Sequence, residues 1–513
     1  MTHRIHAAPP PAAVAASIES RAELLESFLS DAAHVPGGYA AGVAFPRSAG
    51  EIAALVGTAR RVLPVGAQSS LTGGATPRGD LVISTRALTD VTRLPDRMVR
   101  VGSGVPLSEL QRALALDGLY YPPVPTFDGA FVGGTIATNA AGASTFKYGA
   151  TRPWVEALCL VLADGSLVEI RRGEVTASPE NRFEIQYSSG RVVRVMVPTY
   201  VMPDVVKLSA GYFARPCMDL IDLFIGSEGT LGIVAEATLR VISLPRRSVV
   251  LVTCDSDNQA MAVTAALRRE AASSRRGEGA LDVSAIEFMD SRSLAIVPGE
   301  IASRAGVARP AGASVLLVQI EVTDEGADEA LRRLDEVLSE CGVHADPQVA
   351  LPGDVRGAAG LFELREAVPA AVNALVAAAK DRVHPEIEKT AGDFIVPFER
   401  LEESLALYRR TFERYGLEYA TWGHVSDGNL HPNVVPRSLD EVHRGRAALL
   451  DIARSVIAVG GSPLAEHGVG RSALKQQLLR ELYGERGIEE MRAVKRALDP
   501  EWKLAPGVLF PEE

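Results

Sequence analysis

Between Ala327 and Cys341, leucines recur at Leu331, Leu334 and Leu338 against a background of Asp, Glu and Arg. That spacing puts one apolar stripe on a helix. The same periodicity predicts helices over Ala22–Leu29, Ala49–Arg61, Asn258–Ala272, Leu401–Tyr415, Asp440–Val459 and Ile488–Leu498, and one opened by Pro106. Short apolar runs predict strands at Leu63–Gly66, Leu81–Ser84, Val99–Gly102, Val249–Cys254 and Ser314–Val322. Tyr419–Val425 and Leu430–Val435 read as a hairpin turning at Asp427-Gly428.

This order of elements predicts an α+β protein of several domains. Residues 1–40 read as an N-terminal arm and residues 41–245 as a compact α/β domain dense in glycine. A break at Leu244-Pro-Arg-Arg-Ser248 opens an α+β domain over 246–415, a sheet with helices on one face. Residues 416–513 form a helical C-terminal region around the hairpin. No fixed-period repeat is present.

Composition narrows the function. The chain has 513 residues, 47% hydrophobic and 23% charged, and a formal net charge of −11. That charge argues against nucleic acid as a partner, because no basic stripe is offered to phosphates. Cys159, Cys217, Cys254 and Cys341 are far apart and form no CxxC, so buried reduced thiols are expected. No apolar run predicts a transmembrane helix or a secretion signal, which makes a cytoplasmic protein the expectation and leaves peripheral contact with the inner face of the membrane open.

The hairpin carries two of only nine histidines. With a two-residue loop at Asp427-Gly428, His424 would face His431 directly, Cβ atoms about 4.5–5.5 Å apart, and Trp422 would face Asn433. Two such imidazoles make half of a metal site, and Glu466, in Ser462-Pro-Leu-Ala-Glu-His-Gly468, offers the missing carboxylate. A polar pair on a solvated hairpin is the plainer alternative. Adjacent side chains in an extended segment point to opposite sides, so Glu466 and His467 should diverge.

Three glycine-rich segments stand in the first half: Pro64-Val-Gly-Ala-Gln-Ser-Ser-Leu-Thr-Gly-Gly74, the run from Pro122 to Gly142 that continues to Lys147-Tyr-Gly149 and Arg152, and Gly226-Ser-Glu-Gly-Thr-Leu-Gly-Ile-Val234. Such loops bare backbone N–H groups to a pyrophosphate, or are simply tight turns. No GxxxxGK[ST] occurs, and Gly102-Ser-Gly104 lacks the third glycine of a dinucleotide fingerprint.

Taken in order, PVGAQSSLTGG, VGGTIATNAAG…KYG, IGSEGTLGIV, GHVSDGNLHPN and AEHGVG resemble the FAD-dependent D-2-hydroxy acid dehydrogenases, the D-lactate, glycolate and D-2-hydroxyglutarate enzymes. These share the fold of vanillyl-alcohol oxidase and p-cresol methylhydroxylase. The resemblance runs from about Ala41 to Pro511 and implies a two-subdomain FAD-binding domain, a substrate (cap) domain and a C-terminal region packing back on the FAD domain. It implies that Gly66, Gln68, Ser69, Ser70 and Leu71 wrap the FAD diphosphate. Pro125, Thr126, Gly133, Gly134, Asn139 and Gly142 would hold diphosphate and ribityl, and Glu228, Gly229 and Ile233 would sit by the adenosine. His424, His431 and Glu466 would be ligands of a divalent metal, zinc first. Asn433 and Arg365 would contact substrate, and His467 would be the base; a third metal ligand or a core histidine is its alternative. From the residues alone, Arg365 reads as a helix-surface charge paired with Glu363 or Glu366.

The pattern departs from the family at four places. Gly66-Ala67-Gln68 replaces three glycines, Ser426 stands where the hairpin usually has Gly, Ala505-Pro-Gly-Val508 replaces Asn-Pro-Gly-Lys, and residues 171–215 follow no simple member. With no histidine or cysteine from Pro64 to Gly74, FAD is expected to be non-covalent. The implied chemistry is oxidation of a small D-2-hydroxy acid, with hydride transfer to flavin N5 and His467 taking the hydroxyl proton. Quinone, cytochrome or electron-transfer flavoprotein would be the acceptor, and a homodimer stays open. The rivals are a metal-dependent hydrolase, which ignores the first 245 residues, a non-redox flavoenzyme like alkyl-dihydroxyacetone-phosphate synthase, and a flavin module with a dead site.

Overall fold

A computed structural model describes residues 2–307, 312–323 and 325–512. Several helices begin where a Ser-x-x-Glu/Gln box predicts. Ser48, Ser256 and Ser438 accept the N–H of Glu51, Gln259 and Glu441, whose side chains in turn accept the N–H of Arg47, Asp255 and Arg437. The helices that follow are Ala49–Thr58, Asp257–Arg275 and Leu439–Ala458.

The N-terminal half holds two main sheets. The strands Tyr39–Ala44 and Val62–Val65 run parallel to Arg78–Ser84 between them. An antiparallel sheet orders Leu167–Arg171, Val155–Val161, Ile233–Arg240, Met98–Gly102 and Val91–Leu94. Ile52, Leu55 and Val56 of the helix Ala49–Thr58 fill the space between the sheets, against Leu81, Ile83, Val161 and Ile233.

Residues 2–40 are not a free arm. Arg4–Ala7 pairs in parallel with Arg182–Tyr187, and Ile18–Glu19 pairs with Tyr39–Ala44, so the expected boundary at 40/41 falls inside a strand. This also places the segment 171–215: Arg182–Tyr187 and Val192–Met196 form the small sheet that receives the N-terminus, and Arg4 is paired with the buried Glu184.

The second sheet domain is antiparallel, in the order Gln348–Ala350, Arg246–Cys254, Ser314–Val322, Asp282–Met289, Tyr419–His424, Asn429–Val434, Thr390–Ala391. The hairpin therefore belongs to this sheet, not to a separate region starting at 416. Helices cover both faces rather than one. Val250 and Val252 pack with Val263, Leu267 and Leu334, whereas Val249 and Leu251 pack with Leu361, Leu364 and Val368 of the helix Val355–Arg382. The strands Arg246–Cys254 and Ser314–Val322 alternate their apolar side chains between two cores. The helix Ile488–Leu498 extends back to Ala473 across a break at Gly484, where φ is +69°. Cys217 is exposed, against the expectation of buried thiols.

Lys147 and Tyr148 do not face the glycine-rich loops. Lys147 Nζ lies 2.5 Å from Asp282 and 2.6 Å from Glu321, and Tyr148 Oη lies 2.6 Å from Glu321, which docks the first domain on the second sheet.

Candidate active site

The three glycine-rich loops enclose one cleft of about 300 Å³. Gly66, Gln68, Ser69, Ser70, Leu71, Pro125, Thr126, Gly133, Gly134, Glu228, Gly229 and Ile233 line it, together with Glu466 and His467. Two glycines show how the cradle works. A Cβ on Gly133 would stand 2.6 Å from Ser103 Cβ, so the turn closes on its neighbour. A Cβ on Gly134 would meet nothing within 4 Å, so its backbone is bared to the cleft.

Asn139 and Gly142 are off the cleft, contrary to expectation. Asn139 is fixed between the Arg152 N–H at 2.9 Å and the Leu208 carbonyl at 3.2 Å, and a Cβ on Gly142 would meet the Val124 carbonyl at 2.2 Å. Both hold backbone segments together. Gln68, in place of a family glycine, adopts φ +56°, and its amide bonds the Ser27 and Ser30 carbonyls, which offsets the left-handed backbone.

The hairpin is buried throughout, not solvated. Its register differs from the expected one. His424 pairs with Asn429 and Trp422 with His431, because Val425–Asp427 is a turn of 3-10 helix ended by Gly428 at φ +85°. The loop has four residues instead of two. His424 and His431 are diagonal neighbours on one face, and their rings stand 5.4 Å apart, edge to face. Ser426, where the family pattern has glycine, accepts the Ile286 N–H and ties the loop to the adjoining strand.

His424 Nε2 and His431 Nε2 each lie 3.3 Å from the same oxygen, Glu466 Oε1. Each outer nitrogen faces a carboxylate. Glu287 Oε1 is 2.8 Å from His424 Nδ1, and Asp393 Oδ1 is 3.5 Å from His431 Nδ1. Two imidazole nitrogens facing one carboxylate oxygen, each ring backed by a second carboxylate, fit a divalent cation. Among the described residues, Asp393, His431, Glu466 and His467 also bring ligand atoms within 4.8 Å of one another.

Glu466 and His467 converge instead of diverging. Asp393 Oδ2 accepts both of their N–H groups at 2.9 Å, which bends the backbone out of an extended course. His467 Nε2 is 3.6 Å from Glu466 Oε1, and Nδ1 is 3.2 Å from Asp393 Oδ2. Arg365 is buried, not on a helix surface, and its Nε lies 2.8 Å from Glu287 Oε2. Asn433 donates to the His431 carbonyl at 3.0 Å, while its buried Oδ1 has no partner.

Four charged residues of the site escaped the sequence reading. Glu287 and Asp393 carry no motif, and Lys207 lies in the segment the family pattern does not cover. Lys475 approaches Asp393 from the last long helix and has no hydrogen bond of its own.

The electrostatics follow from burial and pairing. Burial pushes the Glu466 and Asp393 carboxyls up, but Lys207 and His424 beside the first, and His467 beside the second, hold both well below the usual range. Burial pushes the His424 imidazolium down, yet the adjoining Glu287 brings it up to about 9. Burial pushes His467 down to about 4, which keeps its ring neutral near pH 7.

Residues 244–509 match the family of FAD linked oxidases, C-terminal domain, and residues 40–171 match the FAD binding domain family. The chain belongs to the FAD-linked oxidases. Its cofactor is FAD, and the enzyme is a flavin-dependent oxidoreductase. A D-lactate dehydrogenase of Archaeoglobus fulgidus is 31% identical over 90% of this chain and 89% of its own length. A D-2-hydroxyglutarate dehydrogenase of Xanthomonas citri pv. viticola is 31% identical over 91% and 89%. The glycolate oxidase subunit GlcD of Bacillus subtilis is 28% identical over 88% and 84%. The solved structure of an alkyldihydroxyacetonephosphate synthase superposes with a TM-score of 0.58 at 16% identity, covering 90% of this chain and 75% of that one; it shows the fold alone. A metal-dependent hydrolase has no use for the FAD domain.

Proposed function

We propose that this FAD-linked oxidase converts a D-2-hydroxy acid to the 2-oxo acid, with a divalent cation, zinc first, at His424, His431 and Glu466. The observation that carries this reading is the convergence of both histidine Nε2 atoms on Oε1 of Glu466, a residue that lines the cofactor cleft. The names of the relatives point to the same substrate class. When bound, FAD supplies the two-electron acceptor for the hydrogen leaving C2, and the cation supplies a Lewis acid for the hydroxyl.

The protein's own groups do the rest. Arg365 engages Glu287 through Nε, and among the described residues no hydrogen bond holds its two terminal nitrogens, which leaves them for the substrate carboxylate. His467 is neutral, stands at the cleft wall and accepts the hydroxyl proton at Nε2, while Asp393 holds Nδ1. Asn433 Oδ1, buried without a partner beside His431, can accept a hydrogen bond from a bound substrate.

Formal charge supports the pairing of a dication with a monoanionic acid. With His424 and His431 neutral, as ligation of a metal requires, Glu287, Asp393, Asp427 and Glu466 are four carboxylates against the three cations Lys207, Arg365 and Lys475, leaving one negative charge (−4 + 3 = −1). A divalent ion and a substrate carboxylate bring the sum to zero.

The flavin is held without a covalent bond in this reading, and electrons pass on to a quinone, a cytochrome or an electron-transfer flavoprotein. Chelation of divalent ions should abolish oxidation of 2-hydroxy acids and leave the flavin spectrum intact, with zinc restoring turnover. Full activity in the metal-free protein overturns the metal assignment.

A further inference from the structure

Lys207 is fully buried, an uncommon place for an ammonium. Its Nζ lies 3.1 Å from Glu466 Oε2, 3.1 Å from Asp427 Oδ2 and 3.4 Å from Asn429 Oδ1. Glu466 Oε2 and Asn429 Oδ1 accept hydrogen bonds from the ammonium, and Asp427 pairs with it by charge. Glu466 is therefore divided: Oε2 belongs to Lys207, and Oε1 faces both histidines at 3.3 Å.

The backbone around Lys207 is stitched on both sides. The Leu208 carbonyl accepts from Asn139, Ser209 Oγ donates to the Thr138 carbonyl at 2.7 Å, and the Ser209 N–H reaches the Leu464 carbonyl at 3.3 Å. Thr138 follows the helix Val132–Ala137, whose glycines line the cofactor cleft, and Leu464 opens the loop of Glu466 and His467. Residues 207–209 thus strap the flavin lobe to the metal cluster.

We propose that Lys207 is a positioning residue that confines Glu466 to one-oxygen ligation of the divalent ion, by holding Oε2 while Oε1 faces the histidines. This rests on the metal reading of the preceding subsection.

The test uses the FAD-loaded full chain. Lys207→Met removes the ammonium, and Lys207→Met with Asp427→Asn removes it while restoring the local charge balance. Both should keep FAD. Zinc affinity by calorimetry should fall roughly 10–100-fold in both, the usual effect of losing a partner of a ligating group. The cobalt-substituted protein should change its visible spectrum. A role in folding alone predicts that the double variant, once folded, binds zinc like the wild type, and that result overturns the proposal.

X-ray absorption of the zinc-loaded wild type decides the matter even if neither variant folds. One carboxylate oxygen at the short ligand distance of about 2.0–2.2 Å is expected; two-oxygen ligation overturns the proposal. A wild-type protein that binds no zinc or cobalt at all would instead sink the metal reading on which it stands.

Discussion

Glu287 Oε1 lies 2.8 Å from Nδ1 of His424, and both side chains are buried. The other oxygen of Glu287 lies 2.8 Å from Arg365 Nε. One carboxylate thus orients a proposed metal ligand and the proposed substrate clamp together. Glu287→Gln keeps the volume, but its one carbonyl oxygen can accept from only one of His424 Nδ1 and Arg365 Nε, and its NH2 sets a donor against the other. Zinc affinity should fall by roughly 10–100-fold, and KM for the hydroxy acid should rise in the same variant. Calorimetry on the FAD-loaded protein measures the first; unchanged affinity would reduce Glu287 to a packing group.

His467→Gln should retain FAD and metal but reduce the flavin roughly 10²–10⁴-fold more slowly, the contribution of a positioned base. Its burial-depressed pKa of about 4 means that the wild-type base stays unprotonated far below pH 6.5. Stopped-flow reduction at saturating substrate gives the rate. Loss of metal with the ring would favour His467 as a third ligand, a role its 3.6 Å approach to Glu466 leaves within reach.

Arg365→Lys keeps a charge and loses the planar fork. Hydroxy-acid binding should weaken by about 1.5–3 kcal/mol, the range for a hydrogen bond to a charged group, with FAD content unchanged. Equilibrium binding of the 2-oxo acid product to the oxidised enzyme checks this. Wild-type affinity would return Arg365 to a purely structural partner of Glu287.

The sequence was informative where chemistry is local. Apolar periodicity marked helices such as Ala49–Thr58 and Leu401–Arg414, glycine loops marked the cleft, and the hairpin histidines reached one face. The wrong register shows the limit. A two-residue loop was inferred from Asp427-Gly428, but the 3-10 turn at Val425–Asp427 lengthened it, and only the diagonal arrangement preserved the shared face. The helix Val355–Arg382 was missed because alanine and Pro369 blur its apolar stripe. Glu287, Asp393 and Lys207 were illegible because each reaches the site through long-range pairing: Asp282–Met289 beside the hairpin, Thr390–Ala391 beside Asn429–Val434, and the strap to Leu464.

Glu228 ties the cofactor cleft to the catalytic loop by accepting the N–H groups of Val469 and Gly470, each at 2.8 Å. Burial pushes its carboxyl up to about 7. The folded value is raised above the unfolded one, so its contribution to stability is present below about pH 4.5 and is lost as pH rises through about 7. Thermal unfolding of apoprotein from pH 4 to 8 should therefore show a wild-type advantage over Glu228→Gln that shrinks with rising pH. A constant difference across that range would contradict the raised value.

The central claim is that a D-2-hydroxy acid delivers two electrons to this flavin at a site built by Arg365, His467 and the His424/His431/Glu466 cluster. Anaerobic stopped-flow mixing of the zinc- and FAD-loaded protein with paired D- and L-2-hydroxy acids tests it most directly. The account predicts rapid bleaching of the flavin by at least one D acid and little by its L partner, with the bleaching lost on chelation. An oxidised flavin spectrum that persists with every acid, or bleaching indifferent to both hand and metal, would contradict it.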